Sequence, residues 1–127
     1  MKRIFFLLIT SVAFAACGGG NDNKTASTET PKTADITKDP AYQKGLELAS
    51  KSDCFTCHNV DDKVTGPSYR EVANKYAGMP DTIVTHLAKK VISGGSGVWG
   101  EIQMTPHPGL SQADAEAIVR YVLLLKK

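Results

Sequence analysis

The segment Cys54-Phe55-Thr56-Cys57-His58 constrains this chain more than any other part of its 127 residues. Its C-x-x-C-H spacing is the attachment signature of a c-type haem. In a helical turn, positions 54, 57 and 58 lie on one face, because residues three and four apart are neighbours. Both sulfurs can then form thioethers with the two vinyl groups of one haem, and the imidazole reaches the iron as proximal ligand. The motif therefore predicts a single haem c, held covalently by Cys54 and Cys57 and ligated by His58.

Other uses of two cysteines and a histidine suit the chain less well. A zinc site takes four ligands, usually with a second pair at metal-binding spacing, and the third cysteine, Cys17, lies far from the motif. A thioredoxin-like dithiol belongs in a βαβ context, whereas the neighbouring segments have helical periodicity. A structural disulfide would leave His58 without a role.

The first residues have the pattern of an export signal. Lys2 and Arg3 precede an apolar run from Ile4 to Ala16, which is too short to span a bilayer comfortably and suits the apolar region of a signal peptide. The run ends in small residues directly before Cys17, as in bacterial lipoproteins, where that cysteine becomes the lipidated N-terminus. Residues 1–16 are therefore predicted to be a lipoprotein signal peptide, and the alternative is an ordinary signal peptide with an incidental Cys17.

Between Cys17 and the haem motif the composition changes. Residues 18–39 are rich in Gly, Thr, Asn, Asp, Lys and Pro, and Ile36 is their single large aliphatic residue. Such a segment buries too little apolar surface to offset its ordering entropy, which predicts a flexible tether over 17–39. The 22 residues of 18–39 would give about 25 Å of root-mean-square reach. The folded domain is then expected over 40–127.

The charge of the chain excludes some partners. The formal net charge is only +2 and no block of Lys or Arg is present, which argues against nucleic-acid binding. Without Lys2 and Arg3, 13 basic residues face 13 acidic ones, since the whole chain has 15 and 13.

Hydrophobic periodicity predicts four helices and no strand. The first runs from about Ala41 to Ser52, the second follows a Ser68 N-cap, the third follows an Asp81 N-cap, and the fourth begins at Ser111. A long stretch rich in Gly and Pro covers 93–109. An all-α domain of this size has a thin core, which a large apolar cofactor would fill.

Several separated blocks resemble the class I cytochromes c, in particular the small bacterial ones that carry electrons between respiratory complexes. The resemblance covers about residues 42–127 and implies the class I fold, about four helices wrapped around one haem c. The blocks that carry it are Lys44-Gly45-Leu46-Glu47-Leu48-Ala49, Cys54 to His58, Gly66-Pro67-Ser68-Tyr69, Gly97-Val98-Trp99-Gly100 and Met104-Thr105-Pro106.

The resemblance implies a ligand set. Cys54 and Cys57 match the thioether anchors, His58 the proximal ligand, and Met104 the distal axial ligand. Pro67 matches a proline whose carbonyl accepts a hydrogen bond from the proximal imidazole and so fixes its orientation. His107 is an alternative sixth ligand; otherwise it is expected to be a solvent-exposed loop residue.

It also implies residues around the cofactor. Trp99 matches a tryptophan that closes the haem edge and donates to a propionate, and Lys90 a basic residue near the propionates. Gly45 and Tyr121 match the crossing of the first and last helices, where a missing side chain permits close approach.

Together these features predict an electron-transfer protein rather than an enzyme, because a methionine ligand would close the iron to substrates. The expected partners are an upstream quinol–cytochrome c reductase or similar protein and a downstream terminal oxidase or reductase. The expected form is a monomer, anchored by lipid to a membrane on its periplasmic or extracytoplasmic face. The alternatives are a haem sensor or peroxidase-like enzyme with a labile sixth ligand, and a fixed electron-entry subunit of a larger oxidoreductase.

Overall fold

The computed structural model describes residues 35–127. The predicted signal peptide, Cys17 and most of the predicted tether lie outside the described residues, so they stay predictions. Within the described part, Ile36–Lys38 form one 3-10 turn, and Ile36 packs partly buried against the core. The packing of the domain therefore begins a few residues before position 40.

Four α-helices form the domain, as the sequence predicts. They are α1 (Pro40–Lys51), α2 (Tyr69–Lys75), α3 (Thr82–Ser93) and α4 (Gln112–Leu124), and a second 3-10 turn covers Cys54–Thr56. The class I cytochrome c fold expected from the sequence is confirmed.

Side-chain caps fix the start of three of these helices. The Asp39 carboxylate accepts from the Ala41 amide (2.8 Å), and Ser68 forms a reciprocal capping box with Glu71. The Ser111 hydroxyl accepts from the Asp114 amide (3.1 Å). Asp81 precedes α3 as predicted, but the prediction that its side chain caps the helix is wrong. The residue has helical dihedral angles and its side chain makes no capping hydrogen bond.

The prediction that no strand is present is wrong. Strands β1 (Gly95–Gly97) and β2 (Gly100–Met104) pair as a short antiparallel hairpin, with Gly95 opposite Met104 and Gly97 opposite Gly100. The periodicity gave no signal because most of this ribbon is exposed and three of its residues are glycines. Those glycines have positive φ angles, which makes the tight turn possible without side-chain strain.

The centre of the domain is the crossing of the first and last helices. A Cβ atom added at Gly45 would collide with the Tyr121 Cβ and the Ala117 carbonyl oxygen, so the bare glycine permits the close approach of α1 and α4. Tyr121 is almost completely buried there. A second apolar cluster joins α3 to the other side of α4 around Val84 and Val119. No helix within 35–127 is long and apolar enough to cross a membrane.

Candidate haem site

A cavity of about 890 Å³ lies among α2, α3, α4, the hairpin and the C-x-x-C-H turn. All of the haem-site residues predicted within the domain line this cavity: Cys54, Cys57, His58, Pro67, Lys90, Trp99 and Met104. The helices supply most of the apolar wall, with Val72, Leu87, Val91, Ile118, Val119 and Val122. The fold therefore brings residues from five separate segments of the chain to one pocket.

The two cysteines and the histidine lie on one tight turn. The Cys57 and His58 amides both donate to the Cys54 carbonyl oxygen, over 3.3 and 3.1 Å. Asp53, in the left-handed region at φ 56°, reverses the chain between α1 and this turn. Cys54 is buried and Cys57 half-buried, and burial raises the pKa of the Cys54 thiol. The turn presents both sulfurs and the imidazole to the cavity.

Three neighbours hold the His58 ring. Its Nδ1 lies 2.7 Å from the Pro67 carbonyl oxygen, which accepts the hydrogen bond when Nδ1 carries the proton. A Cβ added at Gly66 would collide with the imidazole. Tyr69 stacks on the ring with centroids 5.5 Å apart and planes 16° apart. With Nδ1 hydrogen-bonded, Nε2 is the nitrogen left for a metal ion.

The last residue of β2 is Met104, which is half-buried and lines the cavity. Strand β2 thus carries the thioether side chain, on a different element from His58. Met79, by contrast, is half-exposed in the turn before α3 and lies outside the cavity lining.

Trp99 and Lys90 lie near each other in sequence but on different elements. Trp99 occupies the turn between β1 and β2, is 39% exposed and contacts the cavity. The Lys75 Nζ lies 5.3 Å from the centre of its ring. Lys90 lies in the last turn of α3, with its Nζ beside Gly95. Both side chains are therefore placed at the solvent side of the cavity.

Two buried polar atoms were not anticipated from the sequence. The Tyr69 hydroxyl and the His107 Nδ1 are buried, and neither has a hydrogen-bond partner among the described residues. The expectation of a solvent-exposed His107 is wrong: the residue is half-buried, because its amide donates to the Val91 and Ile92 carbonyl oxygens and draws the loop onto α3. Tyr69 enters the sequence-based predictions only as the last residue of the Gly66-Pro67-Ser68-Tyr69 block, with no role assigned to it. Its position directly after Gly66-Pro67-Ser68 could have placed it beside His58.

The residues present fit a covalently attached haem. The cavity lies within the usual range for cofactor pockets, about 300–1,000 Å³, and its lining is mainly apolar. Two thiols, one imidazole and one thioether are the donor set of a c-type haem with histidine and methionine ligation. Unpartnered polar atoms at Tyr69 and His107 are consistent with a pocket that receives a further group.

A small helical domain with this donor set around one apolar cavity defines a mono-haem c-type cytochrome domain. The family model for cytochrome c matches residues 42–126, and the chain belongs to the cytochrome c family. Its cofactor is one covalently bound haem c.

Relatives of this chain carry cytochrome names. Cytochrome c-552 of Nitrosomonas europaea is 45% identical over 84 residues, which cover 66% of this chain and 81% of that protein. Cytochrome c-551 of Azotobacter vinelandii is 44% identical over 84 residues, which cover 66% of this chain and all of that protein.

Solved structures agree with the fold. The crystal structure of wild-type Nitrosomonas europaea cytochrome c552 superposes with a TM-score of 0.60 at 46% identity, covering 64% of this chain and 99% of that one. The Class 1 cytochrome MtoD from Sideroxydans lithotrophicus ES-1 gives a TM-score of 0.55 at 30% identity, covering 65% of this chain and 94% of that one.

Proposed function

We propose that this protein is a membrane-tethered electron carrier that exchanges single electrons with redox proteins. The observation that carries the proposal is the donor set of the cavity, in which Cys54, Cys57, His58 and Met104 all line one apolar pocket. Haem bound there supplies a one-electron Fe(II)/Fe(III) couple.

The protein's own residues favour electron exchange over substrate chemistry. His58, oriented by the Pro67 carbonyl, is the proposed proximal ligand, and Met104 the proposed distal ligand. If both side chains ligate the iron, no coordination position would stay open for a substrate. The apolar wall around Val72, Leu87 and Val122 would surround the bound haem and, together with methionine ligation, would raise its reduction potential.

Trp99 and Lys90 complete the proposed site at its solvent side. In this role the Trp99 indole N–H and the Lys90 ammonium group interact with haem propionates, the indole as a donor and the lysine as a cation. Since Trp99 is partly exposed, this edge is also where an electron can pass to a docked partner without direct contact with the iron.

Optical spectroscopy of the purified ferric holoprotein tests the carrier function. We expect a low-spin spectrum with a methionine-to-iron charge-transfer band, which Met104→Ala abolishes and the matched control Met79→Ala leaves intact, because Met79 lies outside the cavity lining. A high-spin wild-type spectrum at neutral pH, with ready binding of small ligands, would instead identify a sensor or peroxidase-like protein.

The tether forms the second part of the proposal. The signal-like residues 1–16 and Cys17 support export and lipid attachment, and the polar composition of 18–39 supports a spacer between lipid and domain. Radioactive fatty acid fed to the producing cells should label the wild-type protein and not Cys17→Ala. Equal labelling of both would refute the anchor.

The partners belong to the proposal as well. A quinol–cytochrome c reductase, or a protein of similar function, would supply electrons, and a terminal oxidase or reductase would accept them, with the monomer moving between the two. Stopped-flow mixing of the reduced protein with isolated membranes should show its oxidation. Electron transfer that persists only in a permanent complex with one enzyme would favour a fixed subunit.

A further inference from the structure

The segment that follows the hairpin lies directly on the end of α3. Gly94, the residue after α3, is buried and has a φ angle of +66°. A Cβ built there would lie 2.5 Å from the Met104 carbonyl oxygen and 2.8 Å from the Pro106 nitrogen. All of these partners are backbone atoms, so they cannot swing aside as the end of a flexible side chain could.

Backbone hydrogen bonds hold the same segment on the same helix. The His107 amide donates to the Val91 and Ile92 carbonyl oxygens, over 3.2 and 3.1 Å. These are carbonyl groups of the last turn of α3, which have no partner inside the helix. The loop from Met104 to His107 is therefore seated on the helix end at two places, against Gly94 and against the carbonyl groups of residues 91 and 92.

We infer that Gly94 is a positioning residue for the Met104 ligand. Its missing side chain sets how closely the backbone of residues 104–106 approaches α3, and this approach sets where the Met104 thioether lies in the cavity. The inference rests on the proposed ligation by Met104. On this inference, Gly94 determines whether Met104 can reach the iron. It thereby determines whether the haem would only transfer electrons or would also bind an added ligand.

The physical reason is that the contact is rigid on both sides. Pro106 fixes its own φ angle, and α3 is anchored by Val84 and Ala88 in the core. An added methyl group can be accommodated only by moving the loop away from the helix, because both contacting surfaces are packed backbone. Such a movement carries the Cα atom of Met104 with it.

The test compares Gly94→Ala with Gly78→Ala in the holoprotein. Gly78 also has a positive φ angle, +76°, but nothing lies within 4 Å of its built Cβ and it lies outside the cavity lining. We expect Gly94→Ala to lose most of the methionine-to-iron charge-transfer band and Gly78→Ala to keep it. Apparent affinity for cyanide in the ferric state should rise at least about tenfold only in Gly94→Ala, because that affinity scales with the fraction of molecules whose Met104 is displaced.

A second pair of variants covers the case in which Gly94→Ala does not fold. His107→Pro removes the amide that donates to α3, whereas His107→Ala removes the imidazole and keeps that amide. We expect weaker charge-transfer absorption and tighter cyanide binding in His107→Pro than in His107→Ala. Equal spectra and cyanide affinities in the two variants would contradict the claim that the contact of this loop with α3 determines the position of Met104.

The outcomes separate this inference from the carrier function. If the wild-type protein is high-spin and binds cyanide readily, Met104 is not a ligand. The proposed carrier function then fails, and the positioning role of Gly94 fails with it. If wild type is low-spin with the methionine band, but Gly94→Ala matches Gly78→Ala in spectrum and cyanide affinity, the carrier function survives and the positioning role of Gly94 is overturned.

Discussion

The Nδ1 atom of His58 lies 2.7 Å from the carbonyl oxygen of Pro67. The residue before this proline, Gly66, packs so closely against the imidazole that a side chain there would collide with the ring. A hydrogen bond from Nδ1 to a carbonyl makes the other ring nitrogen a more basic ligand. A more basic ligand stabilises ferric over ferrous iron. The backbone of residues 66 and 67 therefore fixes the direction of the imidazole and would set its strength as the proposed iron ligand.

Gly66→Ala should displace the imidazole and weaken this hydrogen bond. We expect the reduction potential to rise by on the order of tens of millivolts, since about 59 mV corresponds to a tenfold change for a one-electron couple. Redox titration of the holoprotein measures it. Gly78→Ala is the control, because Gly78 lies outside the cavity lining and nothing lies within 4 Å of its built Cβ. Equal reduction potentials in the two variants would contradict the claim that the close contact between Gly66 and the imidazole affects the potential.

Gly45→Ala should lower the stability of the fold, although alanine has a higher helix propensity than glycine. In a free helix alanine is favoured over glycine by about 1 kcal/mol. Here the added methyl group meets the Tyr121 Cβ and the Ala117 carbonyl oxygen, and forcing such a contact apart costs about 1–3 kcal/mol. Denaturant titration of the holoprotein should give a lower free energy of unfolding. An increase would show that α1 and α4 can separate at little cost.

Asp61 should stabilise the protein at neutral pH and lose this effect in acid. Its carboxylate accepts from the Arg70 guanidinium (2.6 Å) and lies 3.5 Å from the Lys127 ammonium, and the Arg70 hydrogen bond lowers the pKa of Asp61. A carboxyl with a lower pKa in the folded state contributes fully above its unfolded pKa, and the contribution disappears as the pH falls through the folded pKa.

Denaturant titrations at two pH values check this. Asp61→Asn should be less stable than wild type at neutral pH and nearly equal to it well below the ordinary carboxyl pKa of about 3.9. Asp62→Asn is the control, since its exposed neighbour Asp62 forms no ion pair within residues 35–127. A difference that persists unchanged in acid would exclude the charge as its cause.

Lys75 and Trp99 should be energetically coupled. The ammonium group lies 5.3 Å from the centre of the indole ring, and an exposed cation–π contact contributes about 0.5–1 kcal/mol. A double-mutant cycle with Lys75→Met and Trp99→Leu, read by denaturant unfolding, measures the coupling. Strictly additive effects of the two substitutions would mean that α2 does not stabilise the hairpin through this pair.

Much of the fold and the site could be predicted because the informative residues are local in sequence. The C-x-x-C-H spacing needs only one turn to bring Cys54, Cys57 and His58 together, and the helix caps at Ser68 and Ser111 act within three residues. The membership of Pro67, Trp99 and Met104 in the same cavity followed from a resemblance between whole sequence blocks. Periodicity alone could not have placed them there.

The features that the sequence did not reveal depend on contacts between distant segments. The hairpin lacks a buried face, so it left no alternating pattern, and Asp81 begins α3 without a side-chain cap. The burial of His107 arises from its amide meeting the end of α3. The Arg70 side chain reaches the Leu125 carbonyl oxygen, 55 residues away, a contact that no local rule predicts.

The crossing of α1 and α4 also sets an order of events when the chain folds. Gly45 and Tyr121 come from opposite ends of the domain, so their contact cannot form until the chain has been synthesised at least as far as residue 121. Cys54 is buried beside this crossing, in one cluster with Tyr121 and Leu125. Until α4 docks, this cluster is incomplete and Cys54 stays accessible, so we expect the haem to be attached before Cys54 is buried.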